Sequence, residues 1–368
     1  MAPTPAALTT TPTTHDFAKE VKDFDDSKMG VKDLLDSGVT TIPKIFMYPP
    51  EVLADLKPCN LEIPTIDLSH PREEVIEQIK RASHDWGFYQ VINHGISNEV
   101  IDQTINAFKS FYELPMETKK KYHHMDPKVA FYSNFNIFYS KAVNWKDSLR
   151  VYMAPNPPEM DQMPSVCAKV TNELLDWDLQ AKRVAEELME MMCEGVGVKK
   201  DKLKEMSCLE HRKLVSHYYP YCPQPDLTMG LPPHTDRGVL TVLLQNEVNG
   251  LHVKHGKEWV EVKPVRGALI INVGDLLQIF SNDAFTSVEH RVVANPSKNP
   301  RISLAAIYNP GKRGENDVYG VFPEIITPEK PSLYKEFTIP EIQKQGLTDD
   351  SSCRAIIDLF KLDKSEAA

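Results

Sequence analysis

The sequence predicts a mainly β fold with flanking helices, a sandwich or barrel of many short strands. From Lys213 to Pro310, short runs rich in Val, Ile, Leu and Tyr recur at 214–219, 239–245, 251–254, 259–262, 268–273, 286–293 and 302–308. Turn signals punctuate them, among them Asn249-Gly250, His255-Gly256, Arg266-Gly267 and Ser281-Asn282-Asp283. Many short strands at such spacing build double-sheet or closed architectures. Helical periodicity is confined to the flanks and no linker splits the chain, so one β core wrapped by helices is expected.

The elements follow in order. Residues 1–28 begin with Ala, Pro and Thr and end in a charged run, and are expected to be a disordered or loosely docked tail. Residues 29–362 are read as a single unit: helix-rich over 29–205, the β core over 206–315, and a C-terminal loop and helix over 316–362, with 363–368 as a tail. Val31, Leu34 and Leu35 make a short amphipathic stretch stopped by Gly38, and 63–68 reads as a short strand that Pro64 confines to a sheet edge or strand start. Val75, Ile76, Ile79 and Ala82 give a helix over Pro71 to Ser83, with Pro71, Glu73 and Glu74 suited to its N-terminal end. Phe88 to Ile92 is a buried strand closed by Asn93-His94-Gly95. A second helix runs from about Asn98 to Leu114, with Ile101, Ile105, Phe108 and Tyr112 on one face. The segment 116–160 is aromatic and irregular. A long helix over Asn172 to Glu194 follows, with Leu175, Leu179, Val184, Leu188 and Met191 as its apolar face and Gly195 and Gly197 as its stop. A last helix is expected at about Asp350 to Leu362.

Composition narrows the function. A chain of 368 residues, 41% hydrophobic and 26% charged, can bury a large core. Its net charge of −10 argues against nucleic acid or an anionic membrane as partner. The six cysteines include no C-x-x-C pair and read as reduced thiols. No apolar run is long enough to span a membrane. Met1 to Thr14 carries no basic residue, which leaves neither a signal nor a transit peptide to read. A cytoplasmic monomer acting on a small hydrophobic molecule is expected.

The chemistry concentrates around His234-Thr235-Asp236 and His290. In an extended chain residues i and i+2 share a face, so His234 and Asp236 converge and His290, from a facing strand, completes two histidines and one carboxylate. Such a facial set leaves metal positions open and is the pattern of non-haem Fe(II) oxygenases. No other catalytic side chain is needed beyond these ligands. Two competitors are weaker. His124-Met125-Asp126 lies in a stretch without strand texture, and His252 and His255 are expected at a solvated hairpin tip. Arg301 and Ser303 form another i, i+2 pair, a guanidinium and a hydroxyl suited to a carboxylate, and the Tyr219 phenol can join them. An arginine pairing a carboxylate of the fold, and a buried tyrosine with a satisfied hydroxyl, are the plainer alternatives. Phe131, Phe135 and Phe138 from the aromatic segment, with Ile307 and Asn309 beyond Arg301, are candidate substrate contacts, each equally explained by core packing.

The motifs in combination resemble the plant Fe(II)/2-oxoglutarate-dependent dioxygenases. They are His217-Tyr218-Tyr219-Pro220-Tyr221-Cys222-Pro223, His234-Thr235-Asp236, Asn272-Val273-Gly274-Asp275, Ser287-Val288-Glu289-His290-Arg291-Val292 and Arg301-Ile302-Ser303, preceded by Trp86-Gly87-Phe88-Tyr89 to Asn93-His94-Gly95. The Gly30 to Gly38 stretch and the His217 variant are similar to the branch of 1-aminocyclopropane-1-carboxylate oxidase homologues, which includes deacetoxyvindoline 4-hydroxylase and benzoxazinoid dioxygenases. The resemblance covers roughly residues 30 to 362. It implies a double-stranded β-helix (jelly-roll, cupin-like) core, iron on His234, Asp236 and His290, and 2-oxoglutarate on Arg301 and Ser303 with Tyr219 assisting. Further implications are Fe(II) as cofactor, 2-oxoglutarate and O2 as cosubstrates, ascorbate as a reductant, and hydroxylation of a specialised metabolite (alkaloid, phenolic or terpenoid/steroid) with release of succinate and CO2. Two departures stand out: many relatives have asparagine at His217, which implies a different cosubstrate contact there, and many have an aromatic residue at Ile307, which implies that a stacking wall for flat aromatic substrates is missing and favours a bulky, non-planar or aliphatic substrate. The alternatives are an ethylene-forming oxidase, and a non-catalytic cupin-type binding protein.

Overall fold

The computed structural model describes residues 16–123, 128–134, 137, 141–159, 168–346 and 356–363. Twelve strands form two facing sheets: β1 Thr65–Asp67, β2 Phe88–Ile92, β3 Val129–Tyr132, β4 Asp147–Ala154, β5 His211–Tyr219, β6 Met229–His234, β7 Leu240–Gln245, β8 Leu251–His255, β9 Glu258–Glu261, β10 Leu269–Val273, β11 His290–Val293 and β12 Arg301–Asn309. The larger sheet runs β1-β2-β10-β7-β12-β5-β4-β3 and the smaller β6-β11-β8-β9. Among the described residues of the two sheets, β1 and β2 pair in parallel and the other strand pairs are antiparallel. This is the jelly-roll core, with strands from the N-terminal half extending its larger sheet at both edges.

The helices are α1 Phe17–Ser27, α2 Val31–Asp36, α3 Pro50–Leu53, α4 Arg72–Asp85, α5 Asn98–Tyr112, α6 Met116–Lys119, α7 Ala168–Gly195, α8 Lys202–Glu205, α9 Asp275–Phe280, α10 Ile339–Gly346 and α11 Ile356–Phe360. A short pair, β13 Val318–Tyr319 and β14 Phe337–Thr338, lies in the C-terminal part. Helices α4, α5 and α7 share one apolar core with the larger sheet, which brings Phe108, Trp177 and Leu188 together with Val242, Ile271 and Leu304. That layer stiffens the sheet and leaves its other face for the site.

Three expectations are corrected. Residues 17–27, read as part of a disordered or loosely docked tail, form a docked helix. Phe17, Val21 and Phe24 recur at helical spacing and pack with Phe46 and Trp145 in one cluster, the Phe24 and Phe46 rings meeting edge-on at 5.4 Å. Asp16 caps this helix by accepting from the Lys19 amide at 3.1 Å. On α7, Leu175 and Leu179 face outward at 41% and 67% exposure. The buried stripe is instead Leu174, Trp177, Ala181, Val184 and Leu188, because burying the indole removes more apolar area than either leucine. The irregular segment contains β3 and β4, whose period-2 signal is masked by charged and aromatic residues facing a cavity.

The N-terminal helices are tied to β4. Asp147 accepts from the amides of Val31 at 2.7 Å and Lys32 at 2.9 Å, capping α2, and from the Ser133 hydroxyl at 2.8 Å. Of the expected C-terminal helix, residues 356–360 are helical and 361–362 are not, and the first residues assigned to it lie outside the described ones.

Candidate metal centre and its cavity

Pairing of β6 with β11 sets the centre. Their register puts His290 directly opposite His234, with ring centroids 4.1 Å apart. Pro232 and Pro233 are tolerated because β6 is an edge strand. Just past its end, Asp236 turns one oxygen, Oδ1, towards both imidazoles, 3.9 Å from each Nε2. One donor atom from each of the three residues lies within 4.8 Å of the other two, a group that fits a single metal ion.

The surrounding residues fix which atoms face the ion. The Asp236 Oδ2 accepts from the Thr241 hydroxyl at 2.5 Å and the Asn272 amide at 2.9 Å, which leaves Oδ1 free. His234 Nδ1 donates to the Pro232 carbonyl at 2.9 Å, leaving Nε2 as the lone-pair donor. Phe88 packs its ring 5.0 Å from that of His290. Burial pushes His290 below the usual imidazole range, helped by the charge of His234 and opposed by Asp236. Burial alone would raise the Asp236 carboxyl, but His290, His234 and the two hydrogen bonds hold it low. A neutral imidazole beside a carboxylate is the protonation state that metal binding needs.

Behind the centre, α9 braces the loop. The Asp275 amide donates to the Asp236 carbonyl at 2.8 Å. Its carboxylate accepts from Thr235 at 3.2 Å, Ser287 at 2.7 Å and the Ile356 amide at 3.1 Å. Gly274 has no room for a side chain, since a Cβ there would sit 2.1 Å from the Gly238 carbonyl oxygen.

A cavity of about 420 Å³ lies between the two sheets. His234, Asp236 and His290 line it together with Arg301, Ser303 and Tyr219. Register explains the second group, since Arg301 pairs with Tyr219 and Ser303 with His217. Arg301 is 1% exposed, and one Nη donates to the Gln245 side chain at 2.7 Å. Its Nε and other Nη have no hydrogen-bond partner. A buried guanidinium with two unused nitrogens is a site prepared for a carboxylate. Tyr219, pushed up to about 12 by burial, keeps its phenol protonated near Arg301 and Ser303.

Other expectations fare differently. Ile307 lines the cavity. Phe131 instead packs into the helix-covered core, 6.0 Å from the Phe111 ring, and Tyr132 takes the place on the wall because successive strand residues alternate faces. Asn309 ends β12 outside the lining and abuts Gly238. Phe135, Phe138 and His124-Met125-Asp126 lie outside the described residues. His252 is not at a solvated tip: it sits 2% exposed within β8, which is paired on both sides. His255 stacks on Trp86 at 3.9 Å. Thr241, Asn272, Gln245 and Asp275 hold the site's side chains in place without being legible from spacing alone, although Asn272 and Asp275 stand in the Asn272-Val273-Gly274-Asp275 motif. Among the described residues Cys59, Cys193, Cys208 and Cys222 are free thiols, and no helix is long and apolar enough to cross a membrane.

Comparison with known proteins agrees with this geometry. Residues 210–310 match the 2OG-Fe(II) oxygenase superfamily and residues 63–171 the N-terminal region of non-haem dioxygenases in morphine synthesis. The chain is 43% identical over 335 residues to 1-aminocyclopropane-1-carboxylate oxidase homolog 1 of Arabidopsis thaliana, covering 88% of this chain and 91% of that one. It is 41% identical to homolog 4 of the same plant, covering 89% and 93%. Among solved structures it is similar to JOX2 in complex with 2OG, Fe and JA, with a TM-score of 0.81 at 28% identity over 91% of this chain and 98% of that one. The dioxygenase for auxin oxidation in rice shares the fold, with a TM-score of 0.69 at 22% identity over 81% and 99%. The chain belongs to the 2OG-Fe(II) oxygenase superfamily, among the 1-aminocyclopropane-1-carboxylate oxidase homologues.

Proposed function

We propose that this dioxygenase hydroxylates a largely apolar plant specialised metabolite in the cavity between the two sheets. In this reading His234, Asp236 and His290 hold Fe(II), while Arg301, Ser303 and Tyr219 hold the distal carboxylate of 2-oxoglutarate. Fe(II), when bound, supplies O2 activation coupled to decarboxylation of 2-oxoglutarate to succinate and CO2. The protein's own part is placement. Gln245 fixes the Arg301 guanidinium, Thr241 and Asn272 fix the Asp236 carboxylate, and the apolar Val215, Leu231, Leu243, Ala305 and Ile307 keep water from the substrate.

The observation that carries this reading is the Arg301 guanidinium, buried in the same cavity as the three donor atoms with two nitrogens unused. Substrate-dependent succinate release, measured with Fe(II) and 2-oxoglutarate over a broad metabolite panel, is the test. Release with a subset of apolar metabolites is expected, and silencing the gene in plant tissue then accumulates the unoxidised precursor. No release across the panel, together with no Fe(II) binding by titration, would overturn it.

A further inference from the structure

A row of polar side chains crosses three neighbouring strands beside Arg301. In register, Ser303 on β12 stands opposite His217 on β5, and His217 stands opposite Ser148 on β4. Direct cross-strand partners hold their side chains within reach of each other. Lys146, two residues before Ser148, lines the cavity together with His217 and Ser303. It is 3% exposed, so its ammonium is held inside the wall and not in solvent.

The hydrogen bonds of this row select one tautomer of His217. The Lys146 ammonium donates to the Ser148 hydroxyl oxygen at 2.7 Å, and that oxygen lies 2.9 Å from His217 Nδ1. The ammonium itself stands 3.5 Å from the same nitrogen. An ammonium has three donors and no lone pair. A proton on Nδ1 would therefore face a positive donor, whereas a lone pair there is attracted to it. Ser148, accepting from Lys146, is free to donate its own hydrogen to that lone pair. The proton of the neutral ring then sits on Nε2, the nitrogen left for the cavity. Charge states agree with this. Burial first, then Lys146, Arg301 and His234, hold His217 well below the usual imidazole range. Lys146, lowered to about 8 by burial against the pull of Asp147, is still an ammonium at neutral pH.

We propose that Lys146 is a positioning residue for 2-oxoglutarate: through Ser148 it holds His217 as an Nε2–H donor, and that N–H donates to a cosubstrate oxygen beside Ser303. This role rests on the reading of the cavity as the 2-oxoglutarate site. A donor fixed in advance costs no reorganisation when the anion enters. The other tautomer would turn a lone pair towards the same oxygen and repel it. Lys146 thus decides whether the wall beside Ser303 attracts or repels a carboxylate, without touching the ligand.

The test uses the full chain with isotopically labelled histidine nitrogens and Zn(II) in place of iron, which keeps the spectra sharp. Nitrogen NMR reads the tautomer of His217, whose signals are those that H217F removes. Wild type is expected to show Nδ1 unprotonated and Nε2 protonated, and K146M to shift the proton towards Nδ1. Anaerobic calorimetry on the Fe(II)-loaded chain then measures 2-oxoglutarate affinity. K146M should raise the dissociation constant by about 3- to 10-fold and H217F by about tenfold or more. In the H217F background K146M adds nothing, because Lys146 acts through the imidazole. Unchanged Fe(II) affinity shows that the variants fold. A wild-type His217 protonated at Nδ1 overturns the inference, as does unchanged 2-oxoglutarate affinity in K146M. So does a K146M effect that persists alongside H217F, since Lys146 would then act on the anion directly. A wild-type chain that binds no 2-oxoglutarate is a distinct result and takes down the underlying reading as well.

Discussion

At the scale of single residues, the site works by leaving the right atoms unsatisfied. Arg301 is buried with two guanidinium nitrogens lacking partners, a state that costs stability until a carboxylate fills it. Replacing it with methionine should therefore raise the dissociation constant for 2-oxoglutarate by roughly 10- to 150-fold, the equivalent of about 1.5–3 kcal/mol. The ligand-free R301M protein should melt no lower than wild type. A titration with unchanged affinity, or a sharply lowered melting temperature without ligand, would contradict this account of Arg301. Asn272 acts at one remove. Its amide holds the Asp236 Oδ2 at 2.9 Å, and N272A frees the carboxylate to rotate. Fe(II) affinity is expected to fall by about 10- to 100-fold, measured by competition with a chelator. Equal affinity would mean that Thr241 alone positions Asp236.

At the scale of elements, Asp275 at the start of α9 ties together the loop after β6, the approach to β11 and the start of α11. D275A leaves the Ser287 hydroxyl and the Ile356 amide without their acceptor and should cost roughly 1–3 kcal/mol in urea unfolding. Its ionisation makes stability depend on pH. Burial, opposed by its hydrogen bonds, leaves the carboxyl raised from 3.8 to about 6. Between those values the unfolded chain has released the proton and the folded chain still holds it. Stability therefore falls as pH rises through that window, and the loss persists above it. D275N carries no such loss, so its stability relative to wild type should improve from pH 4 to pH 6. A flat difference across that range would remove Asp275 as the cause. Sequence periodicity located most of these elements, including β2, β7 and β10, because their alternation is apolar on both faces. It overlooked β3 and β4, whose cavity face carries Tyr132, Arg150 and Tyr152, since charged and aromatic residues hide the strand period.

For the whole molecule, the residues that would hold iron and 2-oxoglutarate come from both sheets, so binding should stabilise the fold as a unit. At ligand concentrations about 100 times the dissociation constant the gain is about 2.7 kcal/mol per site, a rise of several degrees in melting temperature. Chelation should reverse the metal's share, and R301M should lose only the share due to 2-oxoglutarate; a chelator-insensitive melting curve would refute the bridging role. The sequence by itself determined the mainly β class, from short strands punctuated by turns, and the shared faces of His234 with Asp236 and of Arg301 with Ser303, because i, i+2 spacing on a strand fixes which side chains point the same way. Tertiary structure alone decided the rest. Strand pairing across long separations chose Tyr132 over Phe131 for the cavity wall, enclosed His252, docked residues 17–27 against Phe46 and Trp145, and set Lys146 and Ser148 against His217. Those outcomes depend on which strands become neighbours, and local periodicity carries no record of that.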